Sequence, residues 1–404
     1  MRWARTWRIA LLVVMAPWVW GLASASCSRH ALEEPPVLSA RGEMHLRWAR
    51  AHLEDPDFRG YGVADDLGVR AFDLVILSHL AAGLGNVAVL APERADEVAR
   101  LGALLAERAV SAEVSPSGAA AGEAPLGEQN LYASHLLFVL GVAHRLGVTE
   151  HDVLATRLAR HLRERSLASD AFHARSYPGS ARWPADQSVT LAALALHDRE
   201  HGTELAAAPT RGWLRWLDAH RGADGLPWST TGALGYARLS RGCALSWTSQ
   251  WMAHFAPGDG ARLYARYRAA HGISWLGWRG LREWPPGHDG GSDVDAGPVI
   301  LGWGTAATGI GLGAARLYGD EASYAGIERI ADTVGLRVPG TARYLLSPTL
   351  GQAILFAGET ATFWGERPES LERTERDWPL GPLLLLSAFL ALGAWLLRGL
   401  RRAA

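Results

Sequence analysis

Four carboxylic acids stand in two polar stretches: Asp186 in Trp183-Pro184-Ala185-Asp186-Gln187, and Glu283, Asp293 and Asp295 between Arg282 and Pro298. Carboxyl groups gathered in one place shift one another's proton affinity, so one stays protonated as an acid while another ionises as a base or nucleophile. For such acid-base chemistry Glu283 and Asp295 are the first candidates, followed by Asp186 and Asp293. Tyr177, Trp183, Gln187, Trp228, Arg241, Trp247, Trp278 and Trp284 crowd the same region and are the candidate binding residues. Polar and aromatic clusters in turns and at helix starts are where a scaffold usually carries function. A structural reading competes with this one. Asp186 and Asp295 fall near the starts of predicted helices, where an acid caps free N–H groups, and a tryptophan often fills a gap between helices. Eighteen tryptophans are high for a chain of this length, and the density of acids and tryptophans across these loops is harder to explain by capping and packing.

Other motifs are weaker. His197-Asp198-Arg199-Glu200-His201 fits the zinc-protease pattern H-x-x-E-H, whose histidines share a helix face. Gly202-Thr203 follows at once, so we expect a frayed, solvated helix end and assign no metal. Gly302-x-Gly304-x-x-Ala307 imitates a dinucleotide fingerprint without the βαβ unit that gives it meaning, so we expect helix packing and no cofactor. Ser246 lacks the Gly-x-Ser-x-Gly frame of a hydrolase nucleophile. Lysine is absent, which excludes Walker-A phosphate binding, Schiff bases and a Ser-Lys pair. No basic stripe interleaved with aromatics exists, so nucleic acid is not an expected partner. Cys27 and Cys243 are too few for a disulfide framework or a cysteine zinc site, and Cys243 is expected to be a small buried residue.

The elements that must position these residues are helical. Val98, Leu101, Leu104 and Leu105 make one apolar stripe and Leu154, Leu158 and Leu162 another, while no comparable run alternates with period two. Breaking the chain at Gly, Pro and Asp clusters gives twelve helices, near 43–54, 66–84, 92–110, 130–146, 150–166, 184–201, 209–220, 243–255, 258–270, 298–317, 321–334 and 347–357. Twelve helices make six α-hairpins. The Ala, Gly, Ser and Pro-rich spacer from Ser111 to Gly127 reads as a flexible surface excursion. Phe72 to Leu90 and Ala296 to Ala315 are apolar enough to imitate membrane spans. Asp73, His79 and Asn86 in the first, and glycines and threonines in the second, favour buried inner helices.

Two hydrophobic ends bracket this domain. Ile9 to Ala25 follows Arg2, Arg5 and Arg8, and Leu380 to Leu397 precedes Arg398, Arg401 and Arg402. Arginine-rich flanks stay in the cytoplasm, so the domain between the ends is expected outside it, with the C-terminus inside. Leu22-Ala23-Ser24-Ala25-Ser26-Cys27 permits cleavage after Ala25, lipidation of Cys27, or retention as an anchor, and we expect one of the first two. The domain order is then 1–27 signal peptide, lipoprotein signal or anchor; 31–365 helical domain; 366–379 juxtamembrane linker; 380–397 transmembrane helix; 398–404 cytoplasmic tail.

The chain resembles the (α/α)6-toroid proteins, and more closely a group of uncharacterised bacterial membrane-associated proteins. The matching residues are Arg282-Glu283-Trp284-Pro285, then Asp293-Val294-Asp295-Ala296-Gly297-Pro298 leading into a Gly-rich helix that ends in Tyr318-Gly319-Asp320. A fainter likeness runs to the linalool dehydratase-isomerase family, whose catalytic cysteine pair has no counterpart beside Cys243. The resemblance implies an all-α (α/α)6 toroid whose loops gather into a funnel at one end, and Pro285, Pro286, Gly287, Gly290 and Gly291 lead us to expect Arg282 to Pro298 as a loop folding back over it. Many families on this fold act on glycans. One carboxyl group protonates the leaving oxygen, a second activates water or attacks the sugar, and tryptophans stack on sugar faces. The expected function is acid-base processing of a glycan or envelope saccharide at the bacterial inner membrane. The alternatives are a lyase on a small hydrophobic alcohol and a non-catalytic envelope-binding or assembly module.

Overall fold

Proline and glycine set helix ends for opposite reasons. Pro184 and Pro257 each open a helix in its first turn, where the missing N–H costs nothing, and Gly202 closes one in a left-handed conformation at φ 63°. Between such breaks the computed structural model, which describes residues 2–27, 37–56, 71–123, 125–231, 238–365, 367–368 and 378–401, is mostly helical. The described helices are α1 Arg2–Cys27, α2 Ala40–Glu54, α3 Ala71–Leu90, α4 Ala95–Val110, α5 Asn130–Arg145, α6 Asp152–Leu167 and α7 Pro184–His201. They continue as α8 Ala207–Ala219, α9 Gly242–Met252, α10 Pro257–His271, α11 Thr305–Leu317, α12 Glu321–Val334, α13 Thr349–Glu359 and α14 Leu380–Arg401.

All twelve helices expected between the two ends are present, with two boundaries corrected. The helix expected at 66–84 occupies 71–90, and 66–70 lie outside the described residues. The helix expected from 298 begins at Thr305, because β3 Val299–Ile300 pairs with β4 Trp303–Gly304 in a tight hairpin. A second hairpin joins β1 Gly272–Trp275 to β2 Trp278–Leu281, with Trp275 opposite Trp278. Strands of two to four residues are too short to display an alternating pattern, which is why period two is absent from the sequence.

The helices form two layers. α3, α5, α7, α9, α11 and α13 each pack on the next, and α13 packs back on α3, so six helices close a circuit of contacts. α2, α4, α6, α8, α10 and α12 lie outside them. Composition divides the layers as the physics of burial requires. Inner α5 buries every residue from Tyr132 to Ala143, whereas outer α4 buries one stripe containing Val98, Leu101 and Leu105. Each fully buried leucine of such a stripe contributes about 2 kcal/mol. Gly83 and Gly85 allow closure, since a side chain at either would collide with Phe356 of α13 or with Trp364.

Among the described residues, three helices are long and apolar enough to cross a membrane, at Thr6–Ser26, Asp73–Leu90 and Leu380–Leu400. The middle one is 89% buried inside the domain, against 22% and 17% for the outer two, which fits the expectation that α3 is an inner helix. α1 and α14 pack on each other, with Trp7 and Trp395 6.4 Å apart and Arg8 over both rings. The far end of α1 lies on α12, where Ser24 donates to Asp332 and accepts from Arg337. The linker expected at 366–379 falls outside the described residues at 366 and 369–377, as do Arg402 and the end of the tail and the side chains of Arg2, Arg5, Cys27 and Arg401.

The described part of the Ser111 to Gly127 spacer lies largely at the surface as expected, but it is not loose. Val114 and Ser115 are buried, and Ala121 N–H donates to Val110 O at 2.8 Å, so its described part is a set of packed turns.

Candidate functional site

Two glycines prepare the site. The backbone of Arg282 and Glu283 runs between Gly242, at the start of α9, and Gly304, before α11. A β-carbon on Gly242 would strike Arg282 O, and one on Gly304 would sit 3.0 Å from Glu283 N and Cβ. Gly242 N–H instead donates to Glu283 O at 2.7 Å. This close passage sinks the Glu283 side chain completely, at 0% exposure.

Once buried, Glu283 is met by donors on both oxygens. Arg241 Nε donates to Oε1 at 2.9 Å, Cys243 N–H to Oε2 at 3.0 Å and the Cys243 thiol to Oε1 at 3.0 Å. Burial pushes the Glu283 carboxyl up, against the pull of Arg241 and the Cys243 donors. Burial, with the charge of Glu283, also holds the Cys243 thiol well above its usual range, so it is a neutral donor and not a nucleophile. Cys243 is small and buried as expected, and it has this added task.

Arg241 reaches a second acid with its other arm. Its Nη2 donates to Asp293 at 2.8 Å, and its guanidinium lies 5.0 Å above the Trp284 ring, whose indole N–H donates to Gly291 O at 2.9 Å. Asp293 also accepts the N–H groups of Asp295 at 3.1 Å and Ala296 at 2.8 Å. Burial raises the Asp293 carboxyl, but the Arg241 bond and these N–H groups bring it below its ordinary value. Glu283 and Asp293 are thus both committed to Arg241.

Asp186 and Asp295 are arranged differently. Asp186, half-buried in the first turn of α7, accepts the Ser176 hydroxyl and caps no helix N–H. Burial raises its carboxyl to about 7, and the charge of Asp295 adds to the effect. Asp295 keeps an open face to solvent and makes no side-chain hydrogen bond among the described residues. Crowding by surrounding protein raises it, and the neighbouring charge of Asp293 raises it further. Asp293 thus braces a turn with its N–H bonds, while Asp186 and Asp295 form no ion pair with an arginine among the described residues and Asp186 feels the charge of Asp295.

The candidate binding residues divide. Tyr177, exposed, and Trp183, half-buried, lie 5.9 Å apart beside Ser176 and Asp186. Trp228, over which Arg238 lies, borders a cavity of about 300 Å³ with Asp170, Arg182, Trp216 and His220, and lines a narrow crevice together with Arg241. A larger open groove of about 710 Å³, between residues 125–127 and α6, is lined by none of the candidate residues. Gln187 is a tie: its Oε1 accepts Ala174 N–H and its Nε2 donates to Ser166, which leaves the amide engaged at both ends. Trp247 faces the axis of the helix circuit against His79 and His135. Trp278 stacks on Trp275 and donates to Thr333 at 3.2 Å beside Gly381 of α14, so it serves the junction with the C-terminal helix.

Sequence reasoning passed over some neighbours. Ser240 donates to Asp224 and meets His271 Nε2 at 2.8 Å, while His271 Nδ1 meets Arg282 O at 3.1 Å, which makes a buried polar chain behind Arg241 and Arg282. No short motif unites these residues; the only cue is that Ser240 precedes Arg241. Ser246 is structural, held by Tyr267 and Ala307 O, and Tyr318-Gly319-Asp320 is a corner in which Asp320 caps α12 and accepts from Tyr264. The end of α7 is not frayed as expected, because the Asp198 carboxylate accepts the N–H groups of Leu205 and Ala206, both at 2.8 Å. No family model matches the chain, and no curated protein matches it.

Proposed function

We propose that this chain is a membrane-tethered (α/α)6-toroid enzyme that processes a glycan or envelope saccharide by acid-base chemistry. Asp186 is the general acid and Asp295 the base or nucleophile, with Arg241 positioning Glu283 and Asp293 beneath them. The observation that carries the reading is the contrast among the acids: Asp186, raised to about 7, is paired in charge with an accessible Asp295, while the other two are neutralised by one arginine. An acid that holds its proton near neutral pH beside an ionisable partner is what leaving-group protonation and water activation require. Tyr177 and Trp183 supply aromatic surface next to Asp186 on which a sugar stacks. The six-helix circuit with an outer layer supports the toroid.

Retention of α1 as an anchor, the third fate that the sequence permits, is supported by the bonds of Ser24 to Asp332 and Arg337. The arginine flanks of α1 and α14 support an extracytoplasmic domain.

One observation favours a binding module over an enzyme: Glu283, the most buried of the four candidate acids, is spent on an ion pair. A dehydratase on a small alcohol finds less support, because the Cys243 thiol is a protonated donor.

The full chain in detergent, incubated with envelope polysaccharide fractions, is expected to release new reducing ends. Asp186→Asn and Asp295→Asn should each lower that release at least about 100-fold. Saccharide binding without turnover, unchanged by Asp186→Asn, establishes the binding module instead.

A further inference from the structure

At the end of α7 away from Asp186, a second group of side chains converges. His144 near the end of α5, Asp152 at the start of α6 and His201 at the end of α7 present ligand atoms that all lie within 4.8 Å of one another. The site is about 22 Å along α7 from Asp186, at 1.5 Å per residue. His144 Nδ1 already meets Asp152 Oδ1 at 2.8 Å, and the His201 ring lies 4.3 Å from that of His144. His197, one turn before His201 and only 1% exposed, stacks beside it at 4.3 Å.

Unanswered polar atoms point the same way. Among the described residues, His201 Nε2 is buried without a hydrogen-bond partner, as are both ring nitrogens of His197 packed beside it. A buried imidazole nitrogen left this way is costly, and a cation bound at His201 satisfies it. The rest of the neighbourhood does not oppose a cation. Arg145 is neutralised by Glu200 at 2.9 Å, and Asp198 holds the following turn rigid.

We infer that His144, Asp152 and His201 bind one divalent transition-metal ion of the zinc class, with His197 packed against the liganding ring of His201. Two imidazoles and one carboxylate are the donor set that such ions prefer, and they leave a fourth position for water. Metal bonds of about 2.1 Å bring ligand atoms to roughly 3.5 Å from one another, a closure that side-chain rotation of half-exposed residues supplies. Glu200, the glutamate of H-x-x-E-H, is held by Arg145 and does not activate the water. The ion acts as a clip that joins three successive helices at the end of the domain opposite the carboxylate site.

The test uses the full chain in detergent, purified without a histidine tag and stripped with a chelator, then titrated with Co²⁺ followed by visible absorption and with Zn²⁺ followed by equilibrium dialysis. One equivalent of each metal should bind, with a cobalt ligand-field band, and Zn²⁺ should raise the melting temperature. His201→Gln and Asp152→Asn should each weaken binding at least about 10-fold and abolish the melting shift, while His220→Gln changes neither. Circular dichroism of the stripped variants separates loss of ligand from loss of fold, and the two variants lie on different helices so that one remains informative. Absence of saturable binding to the unmodified chain, or unchanged binding in folded His201→Gln, overturns the inference.

Discussion

The Ser24 hydroxyl donates to Asp332 Oδ2 at 2.9 Å, joining the first helix to α12 across 308 residues of sequence. Leu22 and Ala25 are buried in the same contact, and Gly21 lies so close to the Asp332 backbone that a side chain there would collide with it. A segment this integrated is expected to stay. Intact mass of the purified protein should therefore include residues 2–27 without acyl groups. Ser24→Ala should cost about 1 kcal/mol of stability, read as a lower melting temperature. A mature N-terminus at Ser26, or a lipidated Cys27, contradicts retention.

Arg241 answers two acids, and its loss strands the deeper one. Arg241→Met should destabilise the domain by about 3 to 5 kcal/mol, because Glu283 then holds an unpaired charge at a fully buried site. Glu283→Gln should also lower stability, with the guanidinium left facing an amide. Asp295→Asn, at an exposed side chain, should leave thermal unfolding nearly unchanged. Equal melting temperatures for all three variants would show that the ion pair has no structural role.

Asp186 gives stability a pH dependence of known sign. Its folded pKa of about 7 lies above that of an unfolded aspartate near 3.9, so its favourable contribution is complete below about pH 4 and is lost as pH rises through 7. Asp186→Asn removes that loss. The variant should be more stable than the unmodified chain at pH 8, by on the order of 2 to 4 kcal/mol, and the two should converge near pH 4. Chemical denaturation at both pH values measures this, and an Asn variant less stable at pH 8 contradicts the assignment.

A reporter fused after Ala404 should behave as cytoplasmic, and one inserted between Ser111 and Gly127 as exported. Cytoplasmic activity from the loop reporter would remove the extracytoplasmic placement and the envelope substrate with it.

Helices were legible because burial imposes a period that sequence records: the stripe through Val98, Leu101 and Leu105, and the all-round apolarity of α3, correspond to outer and inner layers. Short hairpins such as Val299 to Gly304 left no trace, since two paired residues carry no period. The site was legible as a set but not as an order. Asp186, Glu283, Asp293 and Asp295 meet in one region, yet nothing in Arg241-Gly242-Cys243 reveals that its arginine and thiol neutralise Glu283. Trp278 misled for a related reason, because a tryptophan in a loop reads the same whether it faces a ligand or a neighbouring helix. The contact of α1 with α12 spans more than 300 residues, which local sequence does not contain.

The central claim, that Asp186 is an acid kept protonated by burial and by Asp295, is tested most directly by titrating its carboxyl carbon. Protein carrying ¹³C-carboxyl aspartate, with the Asp186 resonance assigned by its loss in Asp186→Asn, should show that carbon titrating near 7. In Asp295→Asn the midpoint should fall while staying above the ordinary aspartate value, because the like charge is gone and the burial remains. A midpoint near 4 in the unmodified chain, or one indifferent to Asp295→Asn, contradicts the account.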